Sequence, residues 1–355
     1  MTTPVMTVPA GRAAQSRPVP WRNLAWVALR QRRGLLIGLG VLLGLIAAYL
    51  VVMAIIQGGA YAAVAACHPA GILRCHELKQ AFISDYWGGD NSVLQSGGAQ
   101  TVSSLMFAVP VLLGAFAGAP LLSRELDSGT FRFAWTQGAG RTRWALSTLV
   151  VPAIAVTAAT GAFTAIFYWY LRPFFALGQV SEMLPLSFAL LGVAFAAWTL
   201  LAFSLAAFLG AVFRRTVPAM AVTLVLYVVL AIATATAIRP HYAAPVTLPA
   251  TSVGSTGASD SSGWVVSDFV KAPDGQVLSQ DDLYRQFQRL PASVQNSANP
   301  DAFSTWLTSH GYTSWTTLQP DSRFWEFQLI EGGWLLVLSA ALIGATVWLV
   351  RRRGA

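Results

Sequence analysis

Cys67-His68 and Cys75-His76 place four groups able to bind a transition metal, or two able to form a disulfide, within ten residues. Their spacing matches no familiar structural zinc pattern, so a metal, a disulfide and free thiols all stay open until the surroundings are known. The other histidines, His241 and His310, stand alone, and neither a His-Glu-x-x-His nor a Gly-x-Ser-x-Gly elbow occurs. A P-loop needs Gly-Lys-Ser/Thr. The only two lysines are Lys79, which follows Leu78, and Lys271, which precedes Ala272, so neither can cradle a nucleotide phosphate.

The elements carrying these residues are apolar. Of 355 residues, 55% are hydrophobic and 11% charged, against about 25% charged in soluble domains. The excess comes in blocks, which excludes a soluble enzyme and predicts a membrane protein. A helix crosses about 30 Å of hydrocarbon with roughly 20 apolar residues. Six stretches meet that length: Gly34–Ile56, Ser103–Leu122, Trp144–Leu171, Met183–Phe213, Val217–Ile238 and Leu329–Val350. The fourth is long enough to need tilt, a kink or an end outside the bilayer. Arg214-Arg215 separates it from the fifth in a tight helical hairpin. The first is too long for a signal-peptide core and follows a 33-residue arm, so it is expected to stay as an anchor.

Charge gives the orientation. With an even number of spans both termini share one side, and that side collects 15 arginines against Glu125 and Asp127, a net +13. The opposite side carries eight basic and 13 acidic residues, a net −5. Basic loops stay in the cytoplasm, so the termini are expected there. Nucleic acid is not the expected partner of these arginines, because the bilayer accounts for them. The cysteines then fall in an oxidising compartment, which favours a Cys67–Cys75 disulfide over metal or free thiols. As drawn, the first five spans hold no Asp, Glu, Lys, Arg or His, and the sixth only Glu331, which disfavours coupling to protons or sodium through buried carboxylates.

The expected fold is therefore an all-α polytopic membrane protein of six transmembrane helices, with a small mixed α/β extracytoplasmic domain between helices 5 and 6. Residues 1–33 form a cytoplasmic arm. Within it 20–33 suits a helix lying in the interface, with Trp21, Leu24, Ala25 and Ala28 on one face. Residues 34–238 hold the first five spans, 239–328 the extracytoplasmic domain, and 329–355 the last span and a basic tail. In the extracytoplasmic domain, Pro245–Gly263 reads as a flexible loop. Trp264–Val266, the Pro273-Asp274-Gly275 turn and Gln276–Leu278 suggest a hairpin. Ser279 is placed to cap a helix over Asp281–Leu290, and Asp301–His310 reads as a second.

Between the second and third spans, residues 123–144 read Ser-Arg-Glu-Leu-Asp-Ser-Gly-Thr-Phe-Arg-Phe-Ala-Trp-Thr-Gln-Gly-Ala-Gly-Arg-Thr-Arg-Trp. The acidic Glu125, then Gly129-Thr130, a short helix over Phe131–Gln137, a Gly138-Ala139-Gly140 turn and the basic Arg141 resemble the cytoplasmic loop of ABC-2 type transporter permeases. Gln319–Glu331, leading into the last span, is similar to the same segment in a subgroup from high-GC bacteria. The resemblance implies the permease subunit of a bacterial ABC exporter in the plasma membrane, working as a homodimer or beside a related permease. A separate ATP-binding subunit would hold ATP and Mg and dock on this loop. By the chemistry of the loop, Arg124, Glu125, Gly129, Thr130, Arg132, Arg141 and Arg143 are the expected coupling residues: the glycine turns the backbone, the threonine caps, and the charges bond across an interface. This chain itself would bind no cofactor and catalyse nothing. The alternatives are an ATP-independent carrier or channel, or a receptor with an extracytoplasmic ligand-binding domain.

Overall fold

Apolar blocks in hydrocarbon must satisfy their backbone internally, and here they do so as helices. The structure, a computed structural model, describes residues 20–31, 33–68, 73–88, 98–128, 140–249, 263–290 and 302–353. In chain order its helices and strands are α1 (Trp21–Gln31), α2 (Arg33–Ala65), α3 (Leu73–Ile83), α4 (Gly98–Leu113), α5 (Ala119–Ser128), α6 (Arg141–Ala176), α7 (Pro185–Leu190), α8 (Gly192–Phe213), α9 (Thr216–Ala233), β1 (Val246–Pro249), β2 (Gly263–Lys271), β3 (Val277–Leu278), α10 (Gln280–Gln288), α11 (Ala302–Ser309), β4 (Thr313–Pro320) and α12 (Phe324–Arg353).

Six helical stretches are long and apolar enough to cross a membrane: Leu36–Ala65, Met106–Glu125, Thr142–Ala176, Gly192–Phe213, Thr216–His241 and Asp321–Arg352. Three boundaries differ from expectation by eight or nine residues. The first span runs on to Ala65, and the last helical run begins eight residues before Leu329, in a 3-10 turn at Asp321–Arg323. The fourth does not start at Met183. It is broken at Leu191, whose backbone is extended, and Gly192, whose φ of +62° only glycine adopts readily, which leaves α7 as a separate turn.

The fourth span is the centre of the bundle because its residues are small where neighbours cross it. A Cβ on Gly114 would lie 2.6 Å from the carbonyl carbon of Ala202, and one on Gly118 2.5 Å from the oxygen of Phe203. A Cβ on Gly210 would in turn lie 2.5 Å from the oxygen of Ala119. The second and fourth spans thus touch backbone to backbone, the usual packing of small residues in membranes. Between α4 and α5 the chain makes a π turn at Gly114–Gly118, closed by the Ala119 N–H donating to the Gly114 carbonyl. Aromatic side chains fill the rest of the core, including Phe167, Phe174, Phe188, Phe195 and Phe327.

Between the fifth and sixth spans lies a four-stranded antiparallel sheet in the order β1-β4-β2-β3. The expected hairpin is present as β2 and β3, and the first expected helix is α10, capped by Ser279 in a reciprocal box with Asp282. The second expected helix is α11. Val246–Pro249 is an edge strand rather than loop, and the central strand β4 was not anticipated. Val270 and Leu307 are the buried centre of this small unit, packed by Leu283, Phe303 and Trp306. Gln319, fully buried, donates to the Ala243 carbonyl at 2.7 Å, and Arg323 donates to that of Ala244 at 2.6 Å, tying the sheet to the end of the fifth span.

Candidate functional site

An arginine closing one span and a glutamate inside another meet across the bundle. Arg239 follows the π turn Thr234–Ile238 at the end of the fifth span, and Glu331 lies two turns into α12. The guanidinium grips the carboxylate with both edges. Nε donates to Oε2 at 2.9 Å and Nη2 to Oε1 at 2.8 Å, with the two side chains 3% and 0% exposed. Trp198 of α8 donates its indole N–H to Oε1 at 2.8 Å, and the Tyr242 hydroxyl donates to Oε2 at 3.3 Å. Trp334 donates in turn to Tyr242 at 3.0 Å. Burial, and then the neighbouring Glu331 charge, push the Tyr242 hydroxyl up to about 12, so it stays a donor. The guanidinium also lies 4.4 Å from the centre of the Phe188 ring. The cluster is electrically neutral, and it ties the fourth, fifth and sixth spans together.

Gln328, one helical turn before Glu331, spans the break in the fourth helix. Its Oε1 accepts from the Ala194 N–H at 2.7 Å and its Nε2 donates to the Phe188 carbonyl at 3.0 Å, which satisfies backbone groups on both sides of Leu191. Helix ends inside a membrane need such partners. Glycine at 192 also makes room: a Cβ there would lie 2.7 Å from that Oε1. Nearby, Asp321 accepts from Ser181 and from the Met183 N–H, holding the loop before α7. Glu182 accepts from the Tyr168 hydroxyl at 2.9 Å. Burial, opposed by that hydrogen bond and reinforced by the charge of Asp321, raises the Glu182 carboxyl above the ordinary glutamate range.

Against this cluster opens a cavity of about 210 Å³ whose walls come from the second, fourth and fifth spans and α7. Phe107, Phe195, Trp198 and Tyr227 are its aromatic surfaces, and Arg239 its charged one.

At the other end of the bundle, where the termini lie, α1 packs on the start of α6. Arg143 sits 5.6 Å from the ring centre of Trp21, and Leu24 packs against the buried cluster that includes Leu121, Leu122, Trp144 and Val350. Helix α1, the start of the third span and the last turns of α12 therefore share one apolar cluster. Arg124 is exposed, Glu125 half-buried, and Ser123 meets the Thr216 hydroxyl at 2.8 Å. Arg214, at φ 55°, makes the left-handed turn of the hairpin into the fifth span. Gly129, Thr130 and Arg132 lie outside the described residues, as does the side chain of Arg141, whose backbone opens α6. Of the seven expected coupling residues, Arg124, Glu125 and Arg143 are thus placed on the termini side. At the opposite end Cys67 and Cys75 are joined in a disulfide, with their Cα atoms 5.6 Å apart.

The profile of the family described as ABC-2 membrane transporter related matches residues 40–239, more than half of the chain. The chain belongs to that family. No curated protein and no solved structure is significantly similar to it. It is a multi-pass transmembrane transporter component of the ABC-2 permease type. The match runs from within the first span to Arg239 near the end of the fifth, so the sheet and the sixth span, with Glu331, lie beyond it.

In this ABC-2 permease, sequence reasoning picked out Glu331 but not its partner. Arg239 ended the apolar run and was assigned to the segment outside. Its signal was the separation from the hydrophobic block by a single peptide bond, which lets the guanidinium fold back along its own helix.

Proposed function

We propose that this permease is the transmembrane subunit of an ATP-driven exporter in the bacterial plasma membrane, with both termini cytoplasmic and ATP and Mg held by a separate ATP-binding subunit. The family assignment carries the reading. The basic excess on the termini side and the missing P-loop support it, since the energy then has to enter from another chain. The docking face is the termini side, where α1, α5, the start of α6 and the end of α12 share one apolar cluster. Two copies, or one with a related permease, frame the path, and closure of the ATPase pair tilts the spans through that face. Affinity purification of the permease from its native membrane in mild detergent tests this. An ATP-binding subunit should copurify in near-equal amount, and its hydrolysis should depend on the permease. A permease that purifies alone and still moves solute without ATP would overturn the proposal.

A further inference from the structure

The cavity beside Arg239 has the chemistry of a ligand site. An apolar cavity of about 150 Å³ takes up a benzene molecule, and this one, at about 210 Å³, has room for a ring or a short chain. Two polar groups on its wall have unused capacity. Tyr227, 9% exposed, makes no hydrogen bond through its hydroxyl among the described residues, and its ring stands edge-on to Trp198 with centres 5.4 Å apart. Arg239 spends two N–H groups on Glu331 and one, at 3.4 Å, on the Pro185 carbonyl. A guanidinium has five. The guanidinium can only donate and the Tyr227 hydroxyl can donate as well as accept, so one oxygen acceptor on a ligand can be met by both. The charge of Arg239 is already matched by Glu331, so an anion in the cavity would bring a second buried negative charge with no cation of its own. Phe107 and Leu186 on the wall are also exposed, so the cavity opens to the outside of the bundle.

We propose that this cavity binds a neutral, mainly hydrocarbon molecule with one oxygen acceptor, its body among Phe107, Phe195 and Trp198 and its oxygen at Tyr227 and Arg239. The site belongs to this chain alone and does not depend on an ATPase partner. Either a compound in transit or an uncharged part of a bilayer lipid offers that chemistry.

The test uses the purified full-length permease without any ATPase, so that it fails or succeeds separately from the exporter reading. A diazirine analogue of 1-octanol is photolysed with the protein at neutral pH, beside the matching analogue of octanoic acid, and adducts are mapped by peptide mass spectrometry. The alcohol should label residues 185–198 and 227–239 saturably, with competition by plain octanol, and at least about tenfold more than the ionised acid, as an unpaired buried charge requires. Tyr227→Phe should weaken the apparent affinity about three- to tenfold, the worth of one neutral hydrogen bond. Ala231→Phe, which fills the cavity, should abolish labelling. If that variant does not fold, Tyr227→Phe still decides, because it removes a single oxygen. Labelling kept in detergent but lost in phosphatidylcholine nanodiscs would identify lipid as the occupant, and labelling in both a solute. Labelling that does not saturate, treats acid and alcohol alike, or is unchanged by both substitutions would overturn the site.

Discussion

The fourth and fifth spans are joined by two arginines and are similarly apolar, yet 67% of the most apolar 18-residue stretch of the first and 11% of that of the second is buried. Hydropathy identifies both as membrane helices and says nothing of which lies at the centre. The difference is in side-chain size. Beside the inward Phe195, Trp198 and Phe203, the fourth span buries Ala194, Ala202, Ala206, Ala207 and Gly210, which let neighbouring backbones approach, while the fifth turns Val217, Val225, Val229 and Ile232 outward. In a bilayer, where hydrocarbon is as apolar as leucine, close packing rather than hydrophobicity selects the central helix.

The comparison breaks most easily at the glycines. Gly114→Leu or Gly118→Leu should prevent the second span from seating on the fourth, and a fluorescent fusion should show loss of the monodisperse peak in size-exclusion chromatography. Val229→Leu on the outward face of the fifth should leave that peak unchanged. Equal behaviour of the two classes would mean that the fourth span is not the centre.

The buried ion pair, where these two spans meet the sixth, gives the next largest effect. Glu331→Gln or Arg239→Gln leaves one charge buried alone and should cost about 3–5 kcal/mol, read as a fall in melting temperature in detergent. Glu331→Leu combined with Arg239→Met should restore most of it. If the double variant were no better than the singles, the pair would be acting through more than its charges.

The smallest effect lies outside the membrane and sharpens the contrast. Ser279→Ala should cost about 1 kcal/mol, as loss of an N-cap does, and melt only the sheet unit, seen by hydrogen exchange in α10. Hydrogen bonds from the Ser279 hydroxyl, then its backbone N–H, together with Arg285, hold the Asp282 carboxyl below the ordinary aspartate range. The unfolded chain therefore binds this proton more readily than the folded one. The contribution is present above the ordinary aspartate pKa and is lost as pH falls through the lowered one. Relative to the intrinsic exchange rate at each pH, protection of the α10 amides should fall at acid pH in the native protein and less in Ser279→Ala.

Much of this architecture was legible because it is local. Span existence follows from apolar length, the Arg214-Arg215 hairpin from a charged interruption, and the Ser279 cap from one residue type ahead of a helical pattern. The break at Leu191 was not legible. It sits in an unbroken apolar run, and the group that satisfies it, Gln328, is more than 130 residues away. Strand β4 was missed because Thr313–Gln319 is rich in hydroxyls and pairs with β2 across a 40-residue interval. The partnership of Arg239 with Glu331 joins positions 92 residues apart, which no periodicity reports. Four of the expected coupling residues, Gly129, Thr130, Arg132 and Arg141, were chosen from a loop pattern, and their side chains lie outside the described residues.

The claim that the termini-side loop receives the ATPase stroke is tested most directly on its charges. Glu125 is half-buried rather than enclosed, and ion pairs in contact with solvent contribute about 0–1 kcal/mol to stability, so Glu125→Ala and Arg141→Ala should still insert and fold. Losing one partner of a desolvated interface pair costs about 2–5 kcal/mol of binding. In a reconstituted complex, both variants should lose the ATP-binding subunit or its transport-stimulated hydrolysis, while Arg289→Ala, beside the sheet, keeps both. Full ATPase binding and full stimulated hydrolysis in the two loop variants would contradict the claim.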